Sequence, residues 1–271
     1  MTNNLKKAKT WFLIAVVVLV IGLASLPSFT SNANATQYTD ESSGSAGYFA
    51  ECSSQCGSSE VTFMRGGWTV PTLSCQPREN ASASYSVGTV TTAASGINDG
   101  STLYFGCANG MVRYSTTLYA GNVAIDGGPV GPGDVMMSTM RESTTPIRGT
   151  QEFQVTVRLV DFTQGWSVTV RGQESYFGIT AFWELASSVS KGSGIFDNVV
   201  PNFGILHTFY NFASIGNFTM ESLGFFVSSP HFITYRETLA DICCYYSSGD
   251  ILAVPSTVTF ARFYVMWVAS Q

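Results

Sequence analysis

From Val61 onward the chain reads as short runs in which every second residue is apolar, separated by turn residues, with no convincing helical spacing. Phe153, Val155, Val157 and Leu159 alternate with Gln154, Thr156 and Arg158, the period of a half-buried strand. Asp161 to Gly165 turns the chain, and Trp166, Val168 and Val170 begin a second alternating run, so a hairpin is predicted over 153–170. A second hairpin is predicted around Asn109-Gly110, between Leu103–Cys107 and Met111–Leu118, because Asn-Gly suits a tight type I′ turn. Further turns are marked by Asp126-Gly127-Gly128-Pro129, Gly131-Pro132-Gly133-Asp134 and Gly192-Ser193-Gly194. The last run, Val258 to Val268, is bulky on both faces, and a strand apolar on both sides is expected in the middle of a layered structure. Many such strands in one chain predict an all-β jelly-roll sandwich of two antiparallel sheets. No repeat with a period of 20–50 residues is present.

The first 60 residues break this pattern. Lys6, Lys7 and Lys9 precede an apolar run from Trp11 to Leu26, and Ala33-Asn34-Ala35 supplies a small-x-small cleavage site. Residues 1–35 therefore have the form of a secretory signal peptide. Read through to Phe29, residues 11–29 would alternatively serve as an uncleaved membrane anchor. Residues 36–60, rich in Ser, Gly and Thr, read as a linker or loose arm, which leaves 61–271 as one β domain. The expected location is secreted or at the cell surface.

Charge narrows the partners. The chain carries 13 basic and 18 acidic residues, three of the basic ones in the leader, so the rest holds 18 − 10 = 8 net negative charges. That balance argues against a nucleic-acid partner, which needs a concentrated basic face. Charged residues make up only 11% of the chain, so few carboxylates need protonating in acid and acid tolerance is expected. The even set Cys52, Cys56, Cys75, Cys107, Cys243 and Cys244 predicts disulfides, with 15 possible connectivities. Cys52 and Cys56 lack the second ligand pair of a structural zinc site, so no metal is expected. Sequons at Asn80 and Asn217 permit surface glycans. His207 has no Ser or Cys motif to serve, no nucleophile elbow is present, and no phosphate loop or dinucleotide fingerprint suggests a cofactor.

Gly66-Gly67-Trp68-Thr69-Val70-Pro71, Pro132-Gly133-Asp134, the 153–170 hairpin, Ala181-Phe182-Trp183, Asn202-Phe203-Gly204 and Leu252 to Ser256, in that order, resemble segments of the glutamic peptidases (eqolisins). Gly66-Gly67-Trp68-Thr69-Val70-Pro71 is similar to that family's opening Gly-x-Trp-x-Val-Pro strand. Pro132-Gly133-Asp134 with Val135, Met137 and Thr139 resembles its Gly-Asp strand, and the 153–170 hairpin resembles its Thr-Val-x-Asn-Leu-Thr-x-Gly hairpin. Ala181-Phe182-Trp183 corresponds to its Ala-Glu-Trp strand, Asn202-Phe203-Gly204 to its Phe-Gly strand start, and Leu252 to Ser256 with the final strand to its C-terminus. The resemblance fades over 216–250. It implies a jelly-roll frame related to concanavalin-like lectins, and a site on one sheet in which a Glu acts as general base on water while a Gln on a neighbouring strand holds that water and stabilises the oxyanion.

Carried over residue by residue, the family's Glu falls on Phe182 and its Gln on Tyr104. Phe182 cannot accept a proton, and no Gln or Asn lies in Ser101–Cys107. Glu184, two residues after Phe182, projects from the same strand face and is the candidate substitute base. The family's cleft tryptophans fall near Thr117 and Ala120, which leaves Trp68, Tyr104, Tyr114, Tyr119 and Glu184 as candidate cleft residues. Three readings follow: an inactive family-like protein binding peptide or glycan in its concave sheet, an acid endopeptidase rearranged around Glu184, or a structural component of the cell envelope. None of them calls for a cofactor.

Overall fold

The computed structural model describes residues 37–42, 45–90, 99–187, 200–240 and 251–268, with side chains from Ser45 onward. The strands are β1 (Gln37–Ser42), β2 (Ser45–Cys52), β3 (Val61–Thr69), β4 (Ala81–Val90), β5 (Asp99–Ala108), β6 (Met111–Ala120), β7 (Val123–Asp126) and β8 (Val135–Glu142). They continue as β9 (Phe153–Asp161), β10 (Trp166–Glu174), β11 (Thr180–Ser187), β12 (Ile205–Ile215), β13 (Phe218–Ser222), β14 (Phe232–Ala240), β15 (Ile251–Pro255) and β16 (Phe263–Trp267). A six-residue helix, α1 (Leu223–Ser228), is capped by Ser222, whose hydroxyl accepts from the Phe225 N–H.

The strands hydrogen-bond in one path, β10-β9-β8-β3-β12-β16-β15-β14-β2-β11-β4-β5-β6-β7, with β13 added to β12 and β1 lying parallel to β14. This sheet folds back on itself: β6 packs over β9 and β10, β5 over β8 and β9, and β4 and β11 over β3. The result is a two-layer β-sandwich whose layers run into each other through β16, β15 and β14. Both predicted hairpins form, β9 with β10 and β5 with β6. In the second, Asn109 and Gly110 both have positive φ (53° and 77°), as a type I′ turn requires.

The alternation in the sequence fixes which side chains lie between the layers. Val155, Val157 and Leu159 of β9 face inward, and Gln154 and Arg158 face solvent. Trp68, Trp183, Tyr48, Tyr85 and Phe105 are fully buried there. Trp68 packs edge-on against Tyr85 at 5.4 Å, and Trp183 Nε1 donates to the Arg65 carbonyl of the opposite layer at 3.0 Å. Each such side chain contributes about 1.5–3 kcal/mol by leaving water.

Two expectations need correction. The Ser/Gly-rich stretch 36–60 is no loose arm: β2 sits between β14 and β11 in the middle of the sheet, because small side chains let neighbouring strands approach closely. A Cβ at Gly47 of β2 would lie 2.2 Å from the Trp183 carbonyl oxygen. The final strand is central within the sheet but covered on one side only, with Tyr264, Met266 and Val268 exposed. The stretch 216–250 includes β13, α1 and β14, whose Phe218, Phe225, Phe226 and Phe232 form an aromatic cluster. The leader and the Gly192–Gly194 turn lie outside the described residues, and no helix among those described is long and apolar enough to cross a membrane.

Disulfides join Cys52 to Cys56 and Cys75 to Cys107. Cys243 and Cys244 lie outside the described residues. The pairing of Cys52 with Cys56 removes both from metal binding.

Candidate active site

Side chains alternate along each strand, so the register shows which residues share the outward face of the layer β14-β2-β11-β4-β5-β6. One cross-strand row runs Glu237, Gly47, Glu184, Ser86, Thr102, Thr117. The next runs Tyr235, Phe49, Phe182, Gly88, Gly100, Tyr119, and the row on the other side holds Ser45, Ala186, Ser84, Tyr104 and Ser115. The face is floored with Gly, Ser and Thr and walled by aromatics. Ser86, Thr102, Phe182 and Ser45 are buried although they point away from the interlayer core. On the opposite layer the equivalent outward residues Gln154, Arg158 and Arg171 are exposed. The first face is therefore a recess, and small residues make it one.

Glu184 stands in this recess, half-buried, with Glu237 across the side-chain-free Gly47. Any side chain at position 47 would strike the β11 backbone, so glycine there both permits the strand approach and clears the space between the two carboxyls. Burial, reinforced by the charge of Glu237 and opposed by the Ser45 hydroxyl, pushes the Glu184 carboxyl up to about 7. Ser45 Oγ donates to Glu237 Oε2 in a short hydrogen bond, which holds that carboxylate in place. The Glu184 carboxyl therefore keeps its proton until near neutral pH.

On one flank, Tyr104 and Tyr119 share a hydrogen bond of 2.7 Å between their hydroxyls. Burial and the Tyr119 hydroxyl push Tyr104 up to about 12, so it remains a neutral phenol. Beside Tyr104 lies a cavity of about 270 Å³ lined by Ser82, Gly106, Arg113, Tyr114 and Ser115 among others. On the other flank, Phe49 and Phe182 pack with ring centroids 6.1 Å apart.

Of the residues expected in the cleft, Tyr104, Tyr119 and Glu184 share this face. Trp68 does not: it is fully buried between the layers, because its strand presents even-numbered residues inward. Tyr114 is also on the inward side, at the end of β6, with its hydroxyl donating to the Pro71 carbonyl at 2.8 Å while its edge reaches the Tyr104 cavity. Phe182 and Tyr104 are not on neighbouring strands, since β4 separates β11 from β5 and the two are four residues out of register. That places their Cα atoms roughly 16 Å apart, too far to share one water. Glu184 is in register with Ser86 and Thr102, whose hydroxyls lie 3.0 Å apart. Sequence reasoning missed Glu237 and Ser45, which strand pairing alone brings to Glu184. His207 lies on β12 in the other layer against Tyr264, and His231 stacks on Phe218. Among the described residues no group of three or more His, Cys, Asp or Glu side chains is placed to hold a metal ion.

No family profile matches the chain, and no curated protein matches it. Solved structures do. Scytalido-glutamic peptidase bound to a peptide-based transition-state analogue superposes with a TM-score of 0.56 at 13% identity, covering 84% of this chain and 100% of that one. SCP-B, a member of the eqolisin family of peptidases in complex with the tripeptide Ala-Ile-His, gives 0.54 at 12% identity with the same coverage. The chain thus has the glutamic-peptidase fold, as the order of its motifs implied.

Proposed function

We propose that this chain is an exported acid peptidase in which a pair of glutamates, Glu184 and Glu237, replaces the glutamate–glutamine pair of the glutamic peptidases. The carrying observation is the placement of these two carboxyls on either side of Gly47, with the proton affinity of Glu184 raised by burial and by the charge of Glu237. The leader pattern and the two disulfides support export, and the peptide-derived ligands of the two similar structures support a peptide substrate.

The pairing reverses the role expected of Glu184. As the member whose carboxyl is raised, it holds the proton, and Glu237, oriented by Ser45, is the base. Glu237 takes a proton from water as the water oxygen bonds to the peptide carbonyl carbon, while the Glu184 O–H donates to the developing oxyanion. On collapse, Glu237 passes its proton to the departing amide nitrogen, the C–N bond breaks and Glu184 recovers its own proton. The Ser86 and Thr102 hydroxyls stand in register with Glu184 along the floor, where substrate would lie.

The test is cleavage of a denatured protein by the purified chain from pH 2 to 7, with Glu184→Leu, which removes the donor, and Glu237→Gln, which removes the base, alongside. Cleavage lost in both variants supports the dyad. Cleavage that survives both, or none from well-folded wild type, refutes it. The absence of an amide at Tyr104 favours a second reading, a binding protein for peptide or glycan. In that reading the recess binds an unlabelled peptide or oligosaccharide without turnover.

A further inference from the structure

A second set of carboxyls lies inside the sandwich. Asp99 opens β5, Glu142 closes β8 and Glu174 closes β10, so Asp99 comes from one layer and the other two from the layer opposite. Asp99 is fully buried and Glu142 nearly so, at 7% exposure. All three point inward: Glu142 follows Met140 in the inward alternation of β8, and Glu174 follows Val170 and Gly172 in that of β10. Asp99 Oδ1 accepts from the Gly121 N–H at 2.6 Å, and Gly121 packs directly on the Gln173 backbone, next to Glu174.

Asp99 Oδ2, both oxygens of Glu142 and Glu174 Oε1 are buried and receive no N–H or O–H from any other group. Glu174 lies between the other two, within hydrogen-bond reach of both Asp99 and Glu142. The other charged group acting on them, Glu60 just ahead of β3, is also an acid. Carboxyl oxygens that face one another attract only if one of them carries a proton. Left ionised, three such groups, two of them buried, would repel one another with no counter-charge beside them among the described residues, an arrangement that proteins avoid. The geometry therefore requires bound protons, and burial above all raises all three carboxyls, Glu142 to about 8 and Glu174 to about 10.

We propose that Asp99, Glu142 and Glu174 are a proton-sharing lock between the layers, closed in acid and released as the solution turns alkaline. Glu174 is the central donor, and its single O–H serves Asp99 or Glu142, so a second proton completes the cluster in mild acid. The sign follows from linkage. A carboxyl whose folded affinity for protons exceeds its unfolded one contributes stability that is full below the ordinary carboxylate range. That contribution is lost as pH rises toward the folded values, here from about 4.5 to between about 8 and 10. Each retained proton costs up to tenfold in the folded-to-unfolded ratio per pH unit across that window.

The test is thermal unfolding of the purified chain from pH 3 to 9, beside Glu174→Gln, which keeps a donor but cannot ionise. The wild type should lose stability steadily above pH 5, and the variant should show a flatter profile that crosses above it in the alkaline range. Should the variant fail to fold, the infrared carbonyl band of protonated carboxylic acid in the wild type at neutral pH decides the matter, and its absence overturns the lock. A wild-type profile flat from pH 5 to 8 overturns it too, as does a variant profile parallel to the wild type. Stabilisation of the wild type at pH 8 by calcium chloride, absent in Glu174→Gln, would make the cluster a cation site instead.

Discussion

The molecule holds two groups of crowded carboxyls, and their surroundings differ more than their chemistry. Glu184 and Glu237 sit on the outward face of one layer, partly exposed, where a hydroxyl from Ser45 satisfies one of them. Asp99, Glu142 and Glu174 point between the layers, where Asp99 accepts from the Gly121 N–H and, among the described residues, Asp99 Oδ2, both Glu142 oxygens and Glu174 Oε1 receive no donor. Burial is the first cause of the raised proton affinity in both, yet it carries Glu184 only to about 7 and Glu174 to about 10. A proton that can be exchanged with a bound water near neutral pH suits catalysis. One that stays until the solution is alkaline suits a structural part. The same side chain thus becomes reagent or fastener according to whether it stands on the outer face of a layer or points between the layers.

The sharpest way to break this comparison is through activity. Glu184→Leu and Glu237→Gln should each lower peptide cleavage by about 10²–10⁴-fold, the usual contribution of a positioned acid or base. Neither should alter the dependence of stability on pH above 7. For the wild type, kcat/KM should fall as pH rises through about 7, because Glu184 loses its proton there. Measured pH–rate profiles that stay level across neutrality would separate Glu184 from the chemistry.

A smaller effect is expected from Gly47→Ala. The added Cβ meets backbone, not a movable side chain, so β2 or β11 must shift, at about 1–3 kcal/mol by analogy with overpacked cores. Chemical denaturation measures that loss. The strand shift also moves Glu184 relative to Glu237, so activity should fall by more than the stability change accounts for.

Glu174→Gln addresses the other half of the comparison. Across the window between ordinary carboxylates and the folded values, the wild type should lose at most about 1.4 kcal/mol per pH unit for each proton retained. The variant should lose less, and its acid cleavage should match the wild type because Glu174 lies outside the recess. Equal slopes in the two proteins would mean that the interlayer carboxyls titrate like any others.

What could be read from the chain follows from how local each signal is. Asn109-Gly110 and the 153–170 alternation specify their hairpins within a few residues, and both formed as predicted. The six motifs resembling glutamic peptidases gave the sandwich for the same reason. Strand β2 was invisible because Ser45, Ala46 and Gly47 look like linker composition, and only the close approach of β11 explains why they are small. Glu184 was a candidate because it shares a face with Phe182. Glu237, 53 positions further on, became its neighbour only through the pairing of β14 with β2. Asp99, Glu142 and Glu174 each end or begin a strand, where an acid ordinarily faces water, and nothing local marks them as buried. Trp68 misled in the opposite sense, since an aromatic in a family-like motif packs a core as readily as it lines a cleft.

The finest discrimination lies with the tyrosine pair on the rim of the recess. Tyr104 is more than a third exposed and its hydroxyl meets that of Tyr119 at 2.7 Å, so this bond is formed in water's presence and contributes little to stability. Tyr104→Phe should therefore change unfolding free energy by less than about 1 kcal/mol. If the pair presents its outer lone pairs and proton to a bound peptide, the same change removes about 0.5–1.5 kcal/mol of binding, a rise in KM of about two- to tenfold with kcat unchanged. Tyr119→Phe should do the same, and the double variant should lose less than the sum, because the two hydroxyls act as one unit. A fall in kcat would instead place Tyr104 at the oxyanion, roughly 12 Å in Cα distance from Glu184 and reachable only by a long phenol side chain. An unchanged KM would leave the substrate on the aromatic wall of Phe49 and Phe182, across the recess from the tyrosines.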